Sequence, residues 1–419
     1  MKFIDVFAGC GGLSLGLLKA GFTGVAAIEK NPMAFETLRH NLINGHRYSF
    51  DWPDWLPRQA MTCEEFLDNH LDEIHSLRGV IDLMVGGPPC QGFSLAGRRD
   101  PKDPRNRMAE QYLELVKIIR PKFIVIENVS GFDAKFNDIE SRQSDEKFSK
   151  TSYAEYICSQ LEGQGYSVSR GKINSADFGV PQNRQRYFII CSAIDSQTNF
   201  IKDLANFGQE FKSLKRLGIG KPVSASDAIA DLELSGKSLI DSLDSDIPGF
   251  KQIDYQAPDI LSPYLRLMRE DYSGLPNSLR IPRHRTNTIL QFIKIQQAST
   301  PGKSLPLEAR KKLGLKKHAI TVLAKDLPSP TITTLPDDII HYSEARILTA
   351  RETARIQSFP DWFEFKGKYT TGGAARKLEC PRYTQIGNAV PPLLAEAIGM
   401  MLHKWLAMDI SDSEALNYI

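Results

Sequence analysis

Short apolar runs recur through the first half of the chain, at 2–7 (KFIDVF), 25–29 (VAAIE), 81–86 (IDLMVG), 123–128 (FIVIEN) and 186–192 (RYFIICS). Runs of this length, several rich in Val and Ile, predict buried strands. The stretches between them carry helix-like spacing, as in AEQYLELVKIIR at 109–120. Strands alternating with helices predict an α/β protein with a doubly wound parallel sheet, whose ligand crevice lies beyond the carboxyl ends of the strands. The polar residues just after each run are therefore the ones to inspect. The alternation stops near residue 192. From 193 to about 330 the chain is irregular, acidic over 227–259 and basic afterwards, and predicts a separate loop-rich domain. Helical periodicity returns in PPLLAEAIGMMLHKWLAM (391–408), apolar enough to pack back on the first domain.

The chain has 419 residues, 42% hydrophobic and 24% charged, enough for a full core and more than one domain. Its net charge of +2 says nothing about a nucleic-acid partner, but between Arg280 and His318 ten Lys or Arg face the single acid Glu308. That local excess of nine positive charges leaves the remainder of the chain net negative by seven. Six cysteines, at 10, 63, 90, 158, 191 and 380, form no C-x-x-C pair and have no histidines at ligand spacing, which predicts neither a disulfide framework nor a metal site. The N-terminus runs straight into a strand pattern without a signal peptide, and no apolar run approaches the roughly 20 residues of a membrane span. The expected location is the cytoplasm.

Chemistry gathers at the strand ends. In FIDVFAGCGGLSLGL (3–17) a strand meets Gly9, Gly11 and Gly12 and then a helix. Such a turn brings backbone amides close to a ligand, though a tight strand-to-helix connection would look the same. Its F-x-G-x-G-G spacing differs from the dinucleotide fingerprint. Glu29, ending the next strand, can accept from both ribose hydroxyls, which suits a nucleoside cofactor without a pyrophosphate. In GGPPCQGFSLAGRR (86–99), Pro88 and Pro89 stiffen the approach to Cys90 while Gly92 and Gly97 let the chain beyond it bend, as for a nucleophile on a rigid stem beside a mobile lid. Glu127 ends a strongly apolar strand as a partly desolvated carboxyl. Arg184 and Arg186, two apart in QNRQRYF (182–188), can aim both guanidinium groups into one crevice or form surface salt bridges. Asn388, in QIGNAVPP (385–392), precedes a proline pair in a turn or cap position.

Taken together with RILTARETARIQSFPDWF (346–363), these stretches resemble, in order and over nearly the whole chain, the motif series of the bacterial DNA cytosine-C5 methyltransferases. The resemblance implies a Rossmann-like methyltransferase sheet with a smaller, loop-rich target recognition domain. Residues 1–192, completed by 380–419, would form the catalytic domain, 193–330 the recognition domain, and 331–379 a hinge and small-domain scaffold. It implies transfer of a methyl group from S-adenosylmethionine to carbon 5 of a cytosine flipped out of double-stranded DNA, through a covalent adduct of Cys90 at carbon 6. Cys90, Glu127, Arg184 and Arg186 would be catalytic. Phe7, Ala8, Gly9, Gly11, Gly12, Leu13, Glu29, Lys30, Pro89, Met108, Asn388 and Val390 would surround the cofactor. Gln91, Ser94, Arg98, Arg99, Arg105, Arg283, Arg285 and Thr331 would face DNA, the loop SLAGRRDPKDPRNR (94–107) closing over the phosphates.

The chain departs from the family at one point. Where an Asp usually accepts the adenine amino group, this sequence has Met61, Thr62 or Cys63. The preceding NGHRYSFDWPDWLPRQ (44–59) reads as an insertion that reshapes the cofactor pocket's edge or contacts DNA. Two rival readings are an RNA cytosine-C5 methyltransferase and a catalytically silent DNA-binding homologue. The long basic region disfavours the first, and the intact set Cys90, Glu127, Arg184 and Arg186 the second. A monomer is expected, with a cognate restriction endonuclease as a separate partner.

Overall fold

A computed structural model describes residues 1–88, 107–133, 152–193, 199–317, 319–372 and 379–416, with side chains through 407. The first half is built from β1 (Lys2–Val6), α1 (Gly12–Lys19), β2 (Thr23–Ile28), α2 (Pro32–Leu38), α3 (Cys63–Asn69), α4 (Leu71–Ser76), β3 (Leu83–Gly86), α5 (Arg107–Ile119), β4 (Phe123–Val129), α6 (Tyr153–Gly163), β5 (Ser167–Asn174), β6 (Gln182–Asn183), β7 (Gln185–Ser192) and α7 (Phe200–Leu214). Six strands form one sheet in the order β2-β1-β3-β4-β7-β5.

Four of these strands are parallel, as the pattern predicts, but β7 runs antiparallel to both β4 and β5. The reason is the connection. Only residues 175–184 separate β5 from β7, too few for the helical crossover that parallel neighbours need. β5 itself escapes the hydrophobic pattern because it is an edge strand whose SVSRGKIN sequence leaves most side chains half-exposed. The central strands carry the core: Phe3, Ile4, Val6, Leu83, Met84, Val85, Ile124, Val125 and Ile190 are essentially inaccessible to solvent.

Beyond β2 the sheet gains no further strand among the described residues. Instead the 44–62 segment crosses that edge irregularly, with the Asp51 amide donating to the Gly24 carbonyl (2.7 Å) and the Met61 amide to that of Glu29 (3.0 Å). Phe50, Trp52 and Leu56 are buried there. Arg47 donates to the carbonyls of Glu270 (2.8 Å) and Asp271 (2.5 Å) and Tyr48 stacks on Trp362. The insertion thus buttresses the sheet edge against a later part of the chain.

α7 follows residue 192 but packs with the sheet. Its Phe200, Leu204, Phe207 and Phe211 are buried, and Phe200 meets Trp405 of the C-terminal helix Pro392–Leu416 edge-on at 4.3 Å. That helix packs back on the first half, as its apolar density predicts. It lies so close to α1 that a β-carbon on Gly16 would fall 2.3 Å from the Ala395 β-carbon and 2.5 Å from the Pro392 carbonyl oxygen. Later residues form two smaller cores, one around Phe292, Ile295, Val322 and Ile340, the other around Leu232, Ile253, Tyr255 and Leu279.

Buried arginines stitch these parts together. Arg346 grips Glu352 with two bonds of 2.7 and 2.8 Å, and Arg355 grips Asp361 with two of 2.8 Å. Arg269 reaches the same Asp361 carboxylate at 2.7 Å. Arg351 donates to the carbonyls of Asn277 (2.8 Å), Pro360 (3.1 Å) and Phe363 (2.7 Å). The 346–363 motif is therefore scaffold: Arg346 and Arg355 are paired with carboxylates and Arg351 is satisfied by carbonyl oxygens, as a buried charge requires.

Candidate active site

The turn after β1 is shaped by three left-handed residues, Phe7 (φ 67°), Gly9 (φ 57°) and Gly11 (φ 91°). For a phenylalanine that conformation is strained, as backbone at functional sites often is. The turn aims the Gly9 amide at Glu29, which accepts it at 2.9 Å and also takes the Asn31 amide at 2.7 Å. Burial nonetheless pushes the Glu29 pKa up. Gly12 is required by proximity, since a β-carbon there would sit 2.4 Å from the Val390 carbonyl oxygen. Inside β1, the buried Asp5 accepts from the Ser14 hydroxyl at 2.5 Å, and burial lifts its pKa from 3.8 to about 7.

Of these, Asp5, Phe7, Gly9, Gly12 and Glu29 line a cleft of about 540 Å³ at the carboxyl ends of β1 to β4. On its far side β3 ends in Gly86 and Gly87. A side chain on Gly87 would crowd the Glu127 carbonyl (3.2 Å) and carboxylate (3.3 Å). The Asn128 side-chain amide donates to the Pro88 carbonyl at 2.9 Å and so ties the start of the proline stem to β4. Glu127 Oε1 lies 3.1 Å from Arg186 Nε, both side chains about seven-eighths buried. The contact is a charge pair without hydrogen-bond alignment, for Oε1 has no hydrogen-bond partner among the described residues.

Arg184 does different work. Fully buried, it donates to the carbonyls of Ile332 (3.0 Å), Gly387 (3.0 Å) and Ala389 (3.2 Å). Burial, with the Arg186 charge adding to it, lowers its pKa to about 9. Gln182 extends the clamp, donating to Gln357 at 2.7 Å and accepting from the Ile332 amide at 2.8 Å, while Gln357 donates to the Ile386 carbonyl at 2.7 Å. Four stretches distant in sequence, 182–184, 332, 357 and 386–389, thus meet behind one wall of the cleft.

A family model described as C-5 cytosine-specific DNA methylase matches residues 1–404. The chain belongs to this family. Among curated relatives of these C-5 cytosine methylases, Type II methyltransferase M.DdeI of Desulfomicrobium norvegicum is 32% identical over 411 residues, covering 95% of this chain and 87% of its own. M.XorII of Xanthomonas oryzae pv. oryzae is 30% identical over 418 residues, covering 96% and 84%. The structure resembles that of a DNA modification methyltransferase encoded in an Escherichia coli prophage (TM-score 0.62, 24% identity, 97% and 99% of the two chains). It also resembles S. pombe Dnmt2 (TM-score 0.52, 17% identity, 97% and 99%). These two likenesses concern the fold. The protein is by class a DNA (cytosine-5) methyltransferase, and no helix among its described residues is long and apolar enough to cross a membrane.

In this methylase Phe7, Ala8, Gly9, Gly12, Leu13, Glu29, Lys30, Met108, Asn388 and Val390 all line the cleft, together with Glu127, Arg184 and Arg186. Gly11 does not face it. A β-carbon there would lie 2.8 Å from the Leu42 side chain and 3.4 Å from that of Leu38, so it serves the packing of α1. Pro89, Cys90, Gln91, Ser94, Arg98, Arg99 and Arg105 lie outside the described residues. Arg283 and Arg285 are exposed, Arg283 over the Phe250 ring at 4.9 Å. Thr331 donates to the Asn183 carbonyl at 2.9 Å, one residue from Arg184. Residues that sequence reasoning passed over include Asp5, Gln111, Asn128 and Gln385. An acid inside the apolar run FIDVF was a legible signal for Asp5. Gln385, whose side chain accepts from Thr37 and donates to the Lys366 and Cys380 carbonyls, was not, because its partners are distant in sequence.

Proposed function

We propose that the protein transfers the methyl group of S-adenosylmethionine to carbon 5 of a cytosine flipped out of a specific duplex DNA sequence, through a covalent bond between Cys90 and carbon 6. The observation that supports this is the Glu127–Arg186 pair. Nearly buried, with Glu127 Oε1 lacking a hydrogen bond among the described residues, it forms the wall of the cleft whose opposite side carries Glu29. An unsatisfied buried carboxylate oxygen is costly unless a ligand donor meets it.

The residues suit the cofactor. Glu29 would accept from its ribose hydroxyls, Phe7, Ala8, Gly9, Gly12, Leu13, Lys30 and Met108 would surround it, and Pro89, Asn388 and Val390 would close the other side. When bound it supplies an electrophilic methyl carbon. The Cys90 thiolate adds to carbon 6 of the base and moves an electron pair toward carbon 5, which a cytosine does not otherwise offer as a nucleophile. Glu127 bonds N3 and the exocyclic amine, and Arg186 holds O2, so the charge developing on the ring meets preorganised partners. Arg184 acts at one remove, holding the 387–389 carbonyls and with them Asn388. After methylation carbon 5 loses its proton and the sulfur departs.

Flipping costs a few kcal/mol, and the cationic 94–107 segment would hold the base out by contacting phosphates. Residues 193–330, with Arg283 and Arg285, would choose the site, and 331–379 would connect the lobes. The Type II names of the relatives favour a companion restriction endonuclease acting separately on the same sequence in a bacterial cytoplasm.

Bisulfite sequencing of DNA from expressing cells identifies the site. Duplex carrying 5-fluorocytosine there should then be methylated and stall as a denaturant-resistant protein–DNA adduct, because fluorine cannot leave as a cation. The adduct should require S-adenosylmethionine and vanish in Cys90→Ser. An equal yield from the serine variant would exclude Cys90 as the nucleophile, and failure to trap at a proven site would exclude the addition mechanism.

A further inference from the structure

The short helix Arg382–Asn388 runs beside the cleft, which Cys380, Gln385, Gly387 and Asn388 all line. It is held at both ends. At its carboxyl end the Arg184 clamp takes the carbonyls of Gly387 and Ala389. In its middle the buried Gln385 side chain donates to the carbonyls of Lys366 (3.0 Å) and Cys380 (2.9 Å), so the residue leading into the helix moves with it.

The hold on its amino end comes from the stretch proposed to choose the DNA site. There Leu239–Asp241 and Lys251–Ile253 pair as an antiparallel hairpin, and the connection between them brings Asp244 to Arg382. Arg382 Nη1 donates to Asp244 Oδ2 at 2.5 Å and to the Tyr369 hydroxyl at 2.7 Å, while its Nε donates to the Gly367 carbonyl at 2.9 Å. Asp244 also accepts the Ser278 amide (2.8 Å) and the Tyr369 hydroxyl (2.7 Å). Both side chains of the pair are largely buried, and among the described residues no other carboxylate pairs with Arg382. Burial alone would raise the Asp244 pKa, but the Arg382 charge and these donors hold it below the usual carboxylate value. Removing either partner of so enclosed a pair leaves the other's charge uncompensated, here two residues from Cys380 in the cleft wall.

We infer that Asp244 is a positioning residue of the cofactor cleft: acting through Arg382, it seats the helix Arg382–Asn388 and with it Cys380, Gln385 and Asn388 against S-adenosylmethionine. The inference rests on that compound being the cofactor. It makes part of the 193–330 stretch necessary for full cofactor affinity as well as for choice of site, and it gives that stretch and the Arg184 clamp opposite ends of one helix.

Titration calorimetry of S-adenosylhomocysteine into the full chain, without DNA, tests it. Asp244→Asn should raise the dissociation constant about threefold or more at unchanged stoichiometry, the range over which residues of one network couple. A merely unfolded fraction would lower the stoichiometry instead. In turnover the same variant should raise KM for S-adenosylmethionine and leave kcat at saturating cofactor within about twofold. Because Asp244 acts through Arg382, adding Asp244→Asn to Arg382→Gln should weaken binding no further. Tyr369→Phe removes one donor to the carboxylate and keeps the charge pair, so it should weaken binding in the same direction by less. Arg280→Lys, which touches the same ring but not the carboxylate, should bind as the wild type does. Unchanged affinity in Asp244→Asn, or in Tyr369→Phe should the first not fold, would overturn the inference. Losses that add in the double variant, or an equal loss in Arg280→Lys, would do the same. A wild type that binds no S-adenosylhomocysteine would overturn the cofactor reading and this inference with it.

Discussion

Replacing Gly16 by alanine sets helix propensity against room. Alanine is favoured over glycine inside a helix by about 1 kcal/mol, so sequence logic alone predicts that Gly16→Ala stabilises α1. The structure predicts the reverse. The added carbon would lie 2.3 Å from the Ala395 β-carbon, 2.5 Å from the Pro392 carbonyl oxygen and 2.6 Å from the Glu396 amide nitrogen, two of them backbone atoms that no rotamer change can move. Overpacking a core costs about 1–3 kcal/mol, and a backbone obstacle puts this site at the upper end. Subtracting the propensity gain leaves a net loss of about 2 kcal/mol. With an unfolding entropy of about 2.1 cal/mol/K per residue, the 419-residue chain would melt roughly 2 °C lower if it unfolds as a unit, and more if a smaller part unfolds first. Because Asn388 and Val390 directly precede the displaced helix, affinity for S-adenosylhomocysteine should fall as well. Gly163→Ala is the matched control: it sits at the exposed end of α6 with nothing within 4 Å of the new carbon, and should be neutral or slightly stabilising. Scanning calorimetry of both variants decides. A Gly16→Ala protein as stable as wild type would refute the account of how α1 and the C-terminal helix fix the cleft.

Arg184→Lys keeps a charge but loses the fork that holds three carbonyls, and should cost about 2 kcal/mol in urea unfolding while weakening S-adenosylhomocysteine binding; an unaffected variant would show that the clamp is dispensable. Asp5 gives a pH signature. Its carboxyl is a weaker acid folded (about 7) than unfolded (3.8), so the native state binds its proton more tightly. The stability it contributes is therefore full at low pH, is lost as pH rises from about 4 to about 7, and changes no further above that. Asp5→Asn should gain on the wild type through this window and level off above it; parallel stability curves from pH 4 to 8 would contradict the assignment. Arg280 is sandwiched between Phe250 (4.0 Å) and Tyr369 (3.9 Å). Arg280→Lys should cost about 1 kcal/mol by thermal melting without changing S-adenosylhomocysteine affinity, and a lost affinity would mean that this stack also shapes the cleft.

The parallel core, the turn at Phe7 to Gly12 and the acids at Glu29 and Glu127 were legible in the sequence because each depends on neighbours within a few residues: an apolar run, a glycine cluster, a polar residue at the run's end. Periodicity reports such local constraints. Tertiary structure decided the rest, because the deciding partners are far apart in the chain. The edge strand β5 and the reversed direction of β7 follow from a connection too short for a crossover. Arg184 and Arg186, equivalent in sequence, separate into a buried clamp on Ile332, Gly387 and Ala389 and a charge facing Glu127. Gly11 and Gly12, adjacent in one motif, divide between packing on Leu42 and admitting Val390. The insertion at 44–59, open to several readings as a string of residues, becomes a buttress once Arg47 finds the carbonyls of Glu270 and Asp271 more than two hundred residues away. A single sequence carries no record of such meetings, since a hydrogen bond between distant residues leaves no periodic trace in either segment.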